Sequence, residues 1–127
     1  IEASGQLKHI LVPEGDILKG SDLGFDVFFA NGHTDKQMIP MIRYKGETIC
    51  FMADLLPTVG HISLPFIMGY DTRPLLSLDE KDRFLKLAAD QNYFLLLEHD
   101  AHNELITVKH TDKGVRLNEV YKFKTIF

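Results

Sequence analysis

The sequence has a single cysteine, no run rich in Lys or Arg, no long apolar stretch and no internal repeat or low-complexity segment. One cysteine, Cys50, excludes an intramolecular disulfide, which fits a reducing compartment, and a cytoplasmic location is the expectation. Its setting in Thr48-Ile49-Cys50-Phe51-Met52 makes it a small buried core residue. With a formal net charge of -4 and no basic cluster there is no footprint for a polyanion. Neither nucleic acid nor an anionic membrane is therefore expected as a partner, and a neutral or cationic small-molecule substrate remains open. No stretch reaches the roughly 18 apolar residues that span a bilayer, and no signal peptide is visible.

What is present fits one globular domain over residues 1–127, because 127 residues with 45% hydrophobic content can bury a real core. Residues 7–12 read as a short strand ending at Pro13 and a turn. Residues 25–30 form a nearly continuous apolar strand covered on both faces. Strands over 37–44 and 47–52 flank Lys45-Gly46 as a hairpin, and Pro40 places the first at an edge or bulge. The breakers Pro57, Gly60, Pro65 and Pro74 mark a long loop of the kind that lines a pocket. Ser77-Leu78-Asp79-Glu80 reads as a capping box opening a helix over 78–91. The stripe of Leu78, Phe84, Leu85, Ala88 and Ala89 packs on the sheet, while Asp82, Lys86 and Asp90 face water. Residues 93–97 form another buried strand, and strands over 105–110 and 115–123 enclose the turn at Thr111-Asp112-Lys113-Gly114. The expected class is α/β (α+β), a mostly antiparallel or mixed sheet with a covering helix. Only one amphipathic helix is available for strands that want both faces buried, so one sheet face lacks a cover.

Three triplets carry the chemistry: Gly32-His33-Thr34, Ala53-Asp54 with its neighbours, and Glu98-His99-Asp100. Each places a metal-ligand type at the end of an apolar, strand-like run, in the order His, Asp, His. Neutral imidazole and carboxylate suit a borderline divalent ion, and strand ends hold ligands rigidly.

Those triplets, with Phe51-Met52-Ala53-Asp54-Leu55-Leu56-Pro57-Thr58 and Phe94-Leu95-Leu96-Leu97-Glu98-His99-Asp100, resemble the C-terminal half of the metallo-β-lactamase-fold hydrolase superfamily. The resemblance runs from about Leu7 to Tyr121. It implies half of a four-layer αββα sandwich, in which the uncovered sheet face packs on the other half. It also implies a hydrolase with one or two metal ions, usually zinc, acting through a metal-bound hydroxide on an ester, thioester, amide or phosphodiester. In that scheme Asp54 is the bridging carboxylate, His33 completes one metal and His99 the other. The family's upstream His-x-His-x-Asp-His motif does not occur here. With a first residue Ile1 rather than Met, this leads to the expectation of a fragment of a longer enzyme. The isolated chain would then bind metal weakly and be inactive, and would pair with the missing N-terminal half or form a homodimer through its uncovered face.

Other residues read more openly. His61, in the pocket-like loop, is a candidate catalytic residue that could orient substrate or donate a proton, or else a plain loop histidine. His102 competes with His99, and the motif favours His99. Asp71 and Arg73 read as a structural ion pair, or alternatively as a substrate clamp. His9 and His110 read as surface residues. The competing functional reading is a non-catalytic binding or assembly module that uses the exposed sheet face, and a third is an unrelated ligand pocket lined by residues 57–74.

Overall fold

The computed structural model describes residues 2–7, 9, 11 and 15–127. The strand expected over 7–12 and the turn after Pro13 fall largely outside the described residues. Among those described, seven strands form one mixed sheet in sequence order. They are β1 (Ile17–Leu18), β2 (Asp26–Ala30), β3 (Gln37–Tyr44), β4 (Glu47–Phe51), β5 (Phe94–Leu96), β6 (Leu105–Thr111) and β7 (Gly114–Tyr121). Every neighbouring pair is antiparallel except β4 with β5. That parallel step needs a crossover, which the loop after β4 and the helix α1 (Pro74–Gln91) provide. A short helix α2 (Phe123–Ile126) follows β7.

The topology fixes where functional residues can meet. The chain reverses between β2 and β3 and again between β3 and β4, so β2 and β4 run the same way, and β5 joins them in parallel. The carboxyl ends of β2, β4 and β5 therefore share one edge of the sheet. Residues 33, 54 and 99 each lie within three residues of one of those ends.

Side chains alternate between the faces. Phe28, Ile39, Met41, Cys50, Leu95 and Ile106 gather on one face in a core with Phe84, Leu85 and Ala88 of α1. Phe28 meets Phe84 edge to face at 5.0 Å. Burial pushes the Cys50 thiol up to about 12, so it is an inert core group at neutral pH. On the other face Met38, Ile42 and Tyr44 are 51%, 42% and 43% exposed. One end of that face carries a ring cluster of Tyr44, Phe94, Phe123 and Phe127. No helix among the described residues is long and apolar enough to cross a membrane.

Several expectations need correction. The helix starts at Pro74, four residues earlier than the capping box implied, because proline at the first turn has no N–H to leave unpaired and a preset φ. Ser77 lies inside the helix with its hydroxyl buried and unbonded, so it caps nothing. Asn92, at φ 55°, closes the helix in the left-handed conformation. Strand β3 is interior rather than at an edge: Pro40 pairs with Val27 just beyond Met41–Cys50, where the β3–β4 register ends and no N–H is required of it. The last strand stops at Tyr121 and gives way to α2. The hairpin between β3 and β4 does turn on Lys45 and Gly46, both left-handed at φ 51° and 88°.

Candidate metal centre

The first candidate ligand, His33, sits on a turn that is built from below by α1. Glu80, buried to 1% exposure, accepts the backbone N–H of Asn31 at 2.8 Å and of Gly32 at 2.9 Å. The sequence pattern assigned Glu80 to its own helix end, whereas its carboxylate holds the end of β2. Gly32 is needed for closeness rather than for an unusual backbone angle. A Cβ there would lie 2.2 Å from the backbone nitrogen and hydroxyl of Ser77 and 2.5 Å from its Cα. Only glycine lets the His33 turn rest on the helix.

The loop before α1 straps the same turn from the other side. Arg73 N–H donates to the Gly32 carbonyl at 2.8 Å and Thr72 N–H to the His33 carbonyl at 3.3 Å. The Thr72 hydroxyl also reaches both carbonyls. Asp71 and Arg73 do not pair with each other, contrary to expectation: Arg73 bridges to Asp35 at 2.7 Å and to the Asn31 carbonyl. Asp71 instead meets His33 Nδ1 at 2.8 Å. Their partners lie on different segments, His33 for Asp71 and Asp35 with the Asn31 carbonyl for Arg73.

Asp54 follows β4 through a strained turn. Ala53 has φ 43°, a left-handed conformation that alanine rarely adopts. The turn is tied at both ends, with Met52 N–H donating across to the Leu96 carbonyl at 3.0 Å and Leu55 N–H closing back on the Met52 carbonyl at 3.1 Å. The result aims the Asp54 carboxylate between two imidazoles. His33 Nε2 lies 3.5 Å from Asp54 Oδ2, and His99 Nε2 lies 3.1 Å from Asp54 Oδ1. Each ring addresses a different oxygen. Two donors on one tetrahedral ion with bonds of about 2.0–2.2 Å stand about 3.4 Å apart, close to both separations. The donor types, two imidazoles and a carboxylate, therefore suit a divalent ion. Among the described residues no three His, Cys, Asp or Glu side chains converge on one point as a closed metal site requires. Three donors divided this way leave most of each coordination shell to other groups.

The turn bearing His99 is fixed by Asp100. Its carboxylate accepts N–H bonds from Val59, His102 and Asn103 and the side-chain amide of Asn103. Burial works to raise its pKa, but these donors, led by Val59, prevail and hold it at about 2. His102 serves here through its backbone, and its side chain is exposed.

His61 makes its contacts within its own loop, with Nδ1 2.9 Å from Thr58 Oγ1, rather than with His33, Asp54 or His99. Its pKa is lowered by burial and by the charge of Lys81, with Asp71 opposing, so it is neutral at pH 7. It lines a cavity of about 300 Å³ with Gly60 and Phe66. Lys81, 1% exposed, is a buried anchor for this loop. Its amine donates to the carbonyls of Phe66 at 2.7 Å and Ser63 at 3.3 Å, and burial draws its pKa down to about 8. A second cavity of about 390 Å³, lined by Gly20, Asp26, Met41 and Arg43, opens at the amino end of β2, away from the three candidate ligands. His110 is exposed on β6 and pairs with Asp90 at 2.7 Å, and His9 is exposed beside Glu2.

Sequence reasoning missed Asp71, Glu80 and Ala53 as parts of this arrangement. Asp71 and Glu80 lie 38 and 48 residues from the positions they support, and only the fold joins them. Tyr70, whose ring lies 6.1 Å from that of His33, was also not anticipated.

The chain was compared with known proteins. No family model and no curated protein matches it. Solved structures do. A probable metal-dependent hydrolase from Staphylococcus aureus is 25% identical with a TM-score of 0.68, over 88% of this chain and 39% of that one. AidC, a dizinc quorum-quenching lactonase, is 21% identical at a TM-score of 0.68, over 82% of this chain and 36% of its own. The hydrolase AbOPH of the beta-lactamase superfamily is 20% identical at 0.69, over 81% and 37%. The sheet and its covering helix thus have the fold of part of a metallo-β-lactamase-type hydrolase, and the chain spans less than two-fifths of each of these three structures.

Proposed function

We propose that this chain supplies the C-terminal share of a metal-dependent hydrolase site, with Asp54 as the carboxylate shared between two divalent ions, His33 on one side and His99 on the other. The observation that carries this reading is the Asp54 carboxylate set between the two imidazoles, one oxygen to each. The structural neighbours are metal-dependent, and one is a dizinc enzyme, which favours zinc.

A bound divalent ion would supply the chemistry that side chains lack here, making water a better nucleophile near neutral pH and stabilising negative charge on a carbonyl or phosphoryl oxygen. The chain's own groups do the rest. His33, Asp54 and His99 hold the ions on a rigid strand edge. The strap at residues 71–73 and the Asp100 turn fix the two histidines in place. His61, tied at Nδ1 to Thr58, keeps Nε2 available beside the cavity to hold substrate or pass a proton. The bond class is an ester, thioester, amide or phosphodiester, and a lactone is the first probe because one neighbour is a lactonase. Water adds across the bond, one product gaining the hydroxyl and the departing atom the proton.

Three donors for two ions bind weakly, so the chain by itself should be inactive and the remaining ligands come from a second layer. The exposed Met38, Ile42 and Tyr44 on the face opposite α1 support such a layer. It is the rest of a longer hydrolase or, failing that, a second copy of this chain.

The test is metal content by elemental analysis together with lactone and thioester turnover in the longer hydrolase of which this chain would be part. Asp54→Ala should lose both. His110→Ala, at an exposed ion pair remote in role, should keep both. Full activity in Asp54→Ala would remove the metal reading and leave the cavity beside His61 as the better candidate.

A further inference from the structure

The least expected contact near the centre is a buried carboxylate behind a histidine. Asp71 is 3% exposed at its side chain while His33 is 19% exposed, and Asp71 Oδ1 lies 2.8 Å from His33 Nδ1. An ionised carboxylate has no proton to give, so the hydrogen of this bond belongs to Nδ1. In the neutral ring the opposite nitrogen, Nε2, then carries the lone pair, and it is the atom 3.5 Å from Asp54 Oδ2.

The position of Asp71 is set by structure on both flanks. Its own N–H donates to the Met68 carbonyl at 3.1 Å, and Thr72 and Arg73 bond the backbone of Gly32 and His33 directly. Pro74 then opens α1, so the strap extends from a helix end rather than from a free loop. Lys81, buried beneath the loop, feels the charge of Asp71, which works to raise its pKa against the burial that lowers it. By contrast, His99 uses Nε2 toward Asp54 and stands 50% exposed at its side chain. The two imidazoles of the site are unequally supported.

We infer that Asp71 is a positioning residue: it locks His33 in the Nδ1–H tautomer, presents Nε2 as the donor, and makes the His33 side of the centre the tighter of the two. The assignment of metal binding to Nε2 rests on the reading given under Proposed function, whereas the tautomer does not. A carboxylate or carbonyl bonded to the far nitrogen of a ligating imidazole fixes its orientation and raises its basicity, and losing it typically costs about 10–100-fold in metal affinity.

The experiment has two independent readouts on the native protein. Long-range ¹⁵N–¹H correlation spectra of the metal-free form report the tautomer of His33. Competition with a chromophoric chelator reports zinc affinity. Wild type should show Nδ1–H at His33. Asp71→Ala should release the ring from that tautomer and weaken zinc binding by about 10–100-fold. Asp71→Asn, whose amide oxygen still accepts from Nδ1, should retain the tautomer and recover most of the affinity. Wild-type His33 in the Nε2–H form overturns the inference without any variant, which covers the case that Asp71→Ala does not fold. Unchanged His33 shifts in a folded Asp71→Ala overturn it as well. Failure of wild type to bind zinc removes the metal reading, while the tautomer result still decides the role of Asp71.

Discussion

Replacing Glu80 by alanine isolates the contribution of one buried carboxylate to the placement of a ligand that lies far away in sequence. Glu80 is 1% exposed and accepts the N–H groups of Asn31 and Gly32 at 2.8 and 2.9 Å. Hydrogen bonds to a charged acceptor contribute about 1.5–3 kcal/mol each, so losing two costs about 3–6 kcal/mol. Removal of a carboxylate that was itself costly to bury offsets part of this and places the net loss near the lower end, about 3–4 kcal/mol. Against a total stability of about 5–15 kcal/mol this is a large fraction. For a chain of this size it corresponds to a fall in Tm of roughly 10–20 °C. Urea and thermal unfolding should be measured for wild type, Glu80→Ala and Glu80→Gln, the last keeping one acceptor and recovering part of the loss. Zinc affinity should fall in parallel, because the turn that carries His33 is released. A Glu80→Ala protein melting within ~2 °C of wild type would refute the reasoning that the helix holds this turn.

Gly32→Ala should destabilise by about 1–3 kcal/mol or more, since the added methyl meets Ser77 backbone that cannot rotate away, and unfolding by urea would measure it. Asp100→Ala should loosen the His99 turn. Because the folded pKa of Asp100 is about 2 against an ordinary 3.8, its stabilisation is present above about pH 4 and is lost as pH falls toward 2. The difference in Tm between wild type and Asp100→Ala should accordingly shrink over that window, and a difference that grew on acidification would contradict the assignment. Phe84→Ala, at a fully buried ring in the centre of the core, should cost about 3–5 kcal/mol in the same assay. Sedimentation of the chain alone should show association through the face bearing Met38 and Ile42, and a monomer at high dilution would argue that this face is otherwise covered.

The strands were legible because their apolar runs are short and bounded by strong turn residues, as at Lys45-Gly46 and Asp112-Lys113-Gly114. The placement of His33, Asp54 and His99 near strand ends was legible for the same reason. Their common edge, however, depends on the two reversals from β2 to β4 and on the parallel pairing of β4 with β5, which no local pattern encodes. The supporting residues were misread where a local rule competed with a distant partner. Ser77 and Glu80 match a capping box, yet Gly32 occupies the space beside Ser77 and draws Glu80 to the backbone of β2. Asp71 and Arg73 look like an ion pair by proximity, yet His33 takes Asp71 and Asp35 takes Arg73. Lys81 carried no signal in the sequence, and the carbonyls of Ser63 and Phe66 satisfy it in the interior. In each case the deciding partner lies about 15 or more residues away and enters only with the fold.

The central claim is that one carboxylate stands between two metal ions, and anomalous diffraction at the zinc edge from crystals of the native protein tests it most directly. The account predicts anomalous density on both sides of Asp54, with one ion about 2.0–2.1 Å from His33 Nε2 and the other at a like distance from His99 Nε2. Zinc bound elsewhere, or density at neither imidazole in a protein that hydrolyses its substrate, would contradict it.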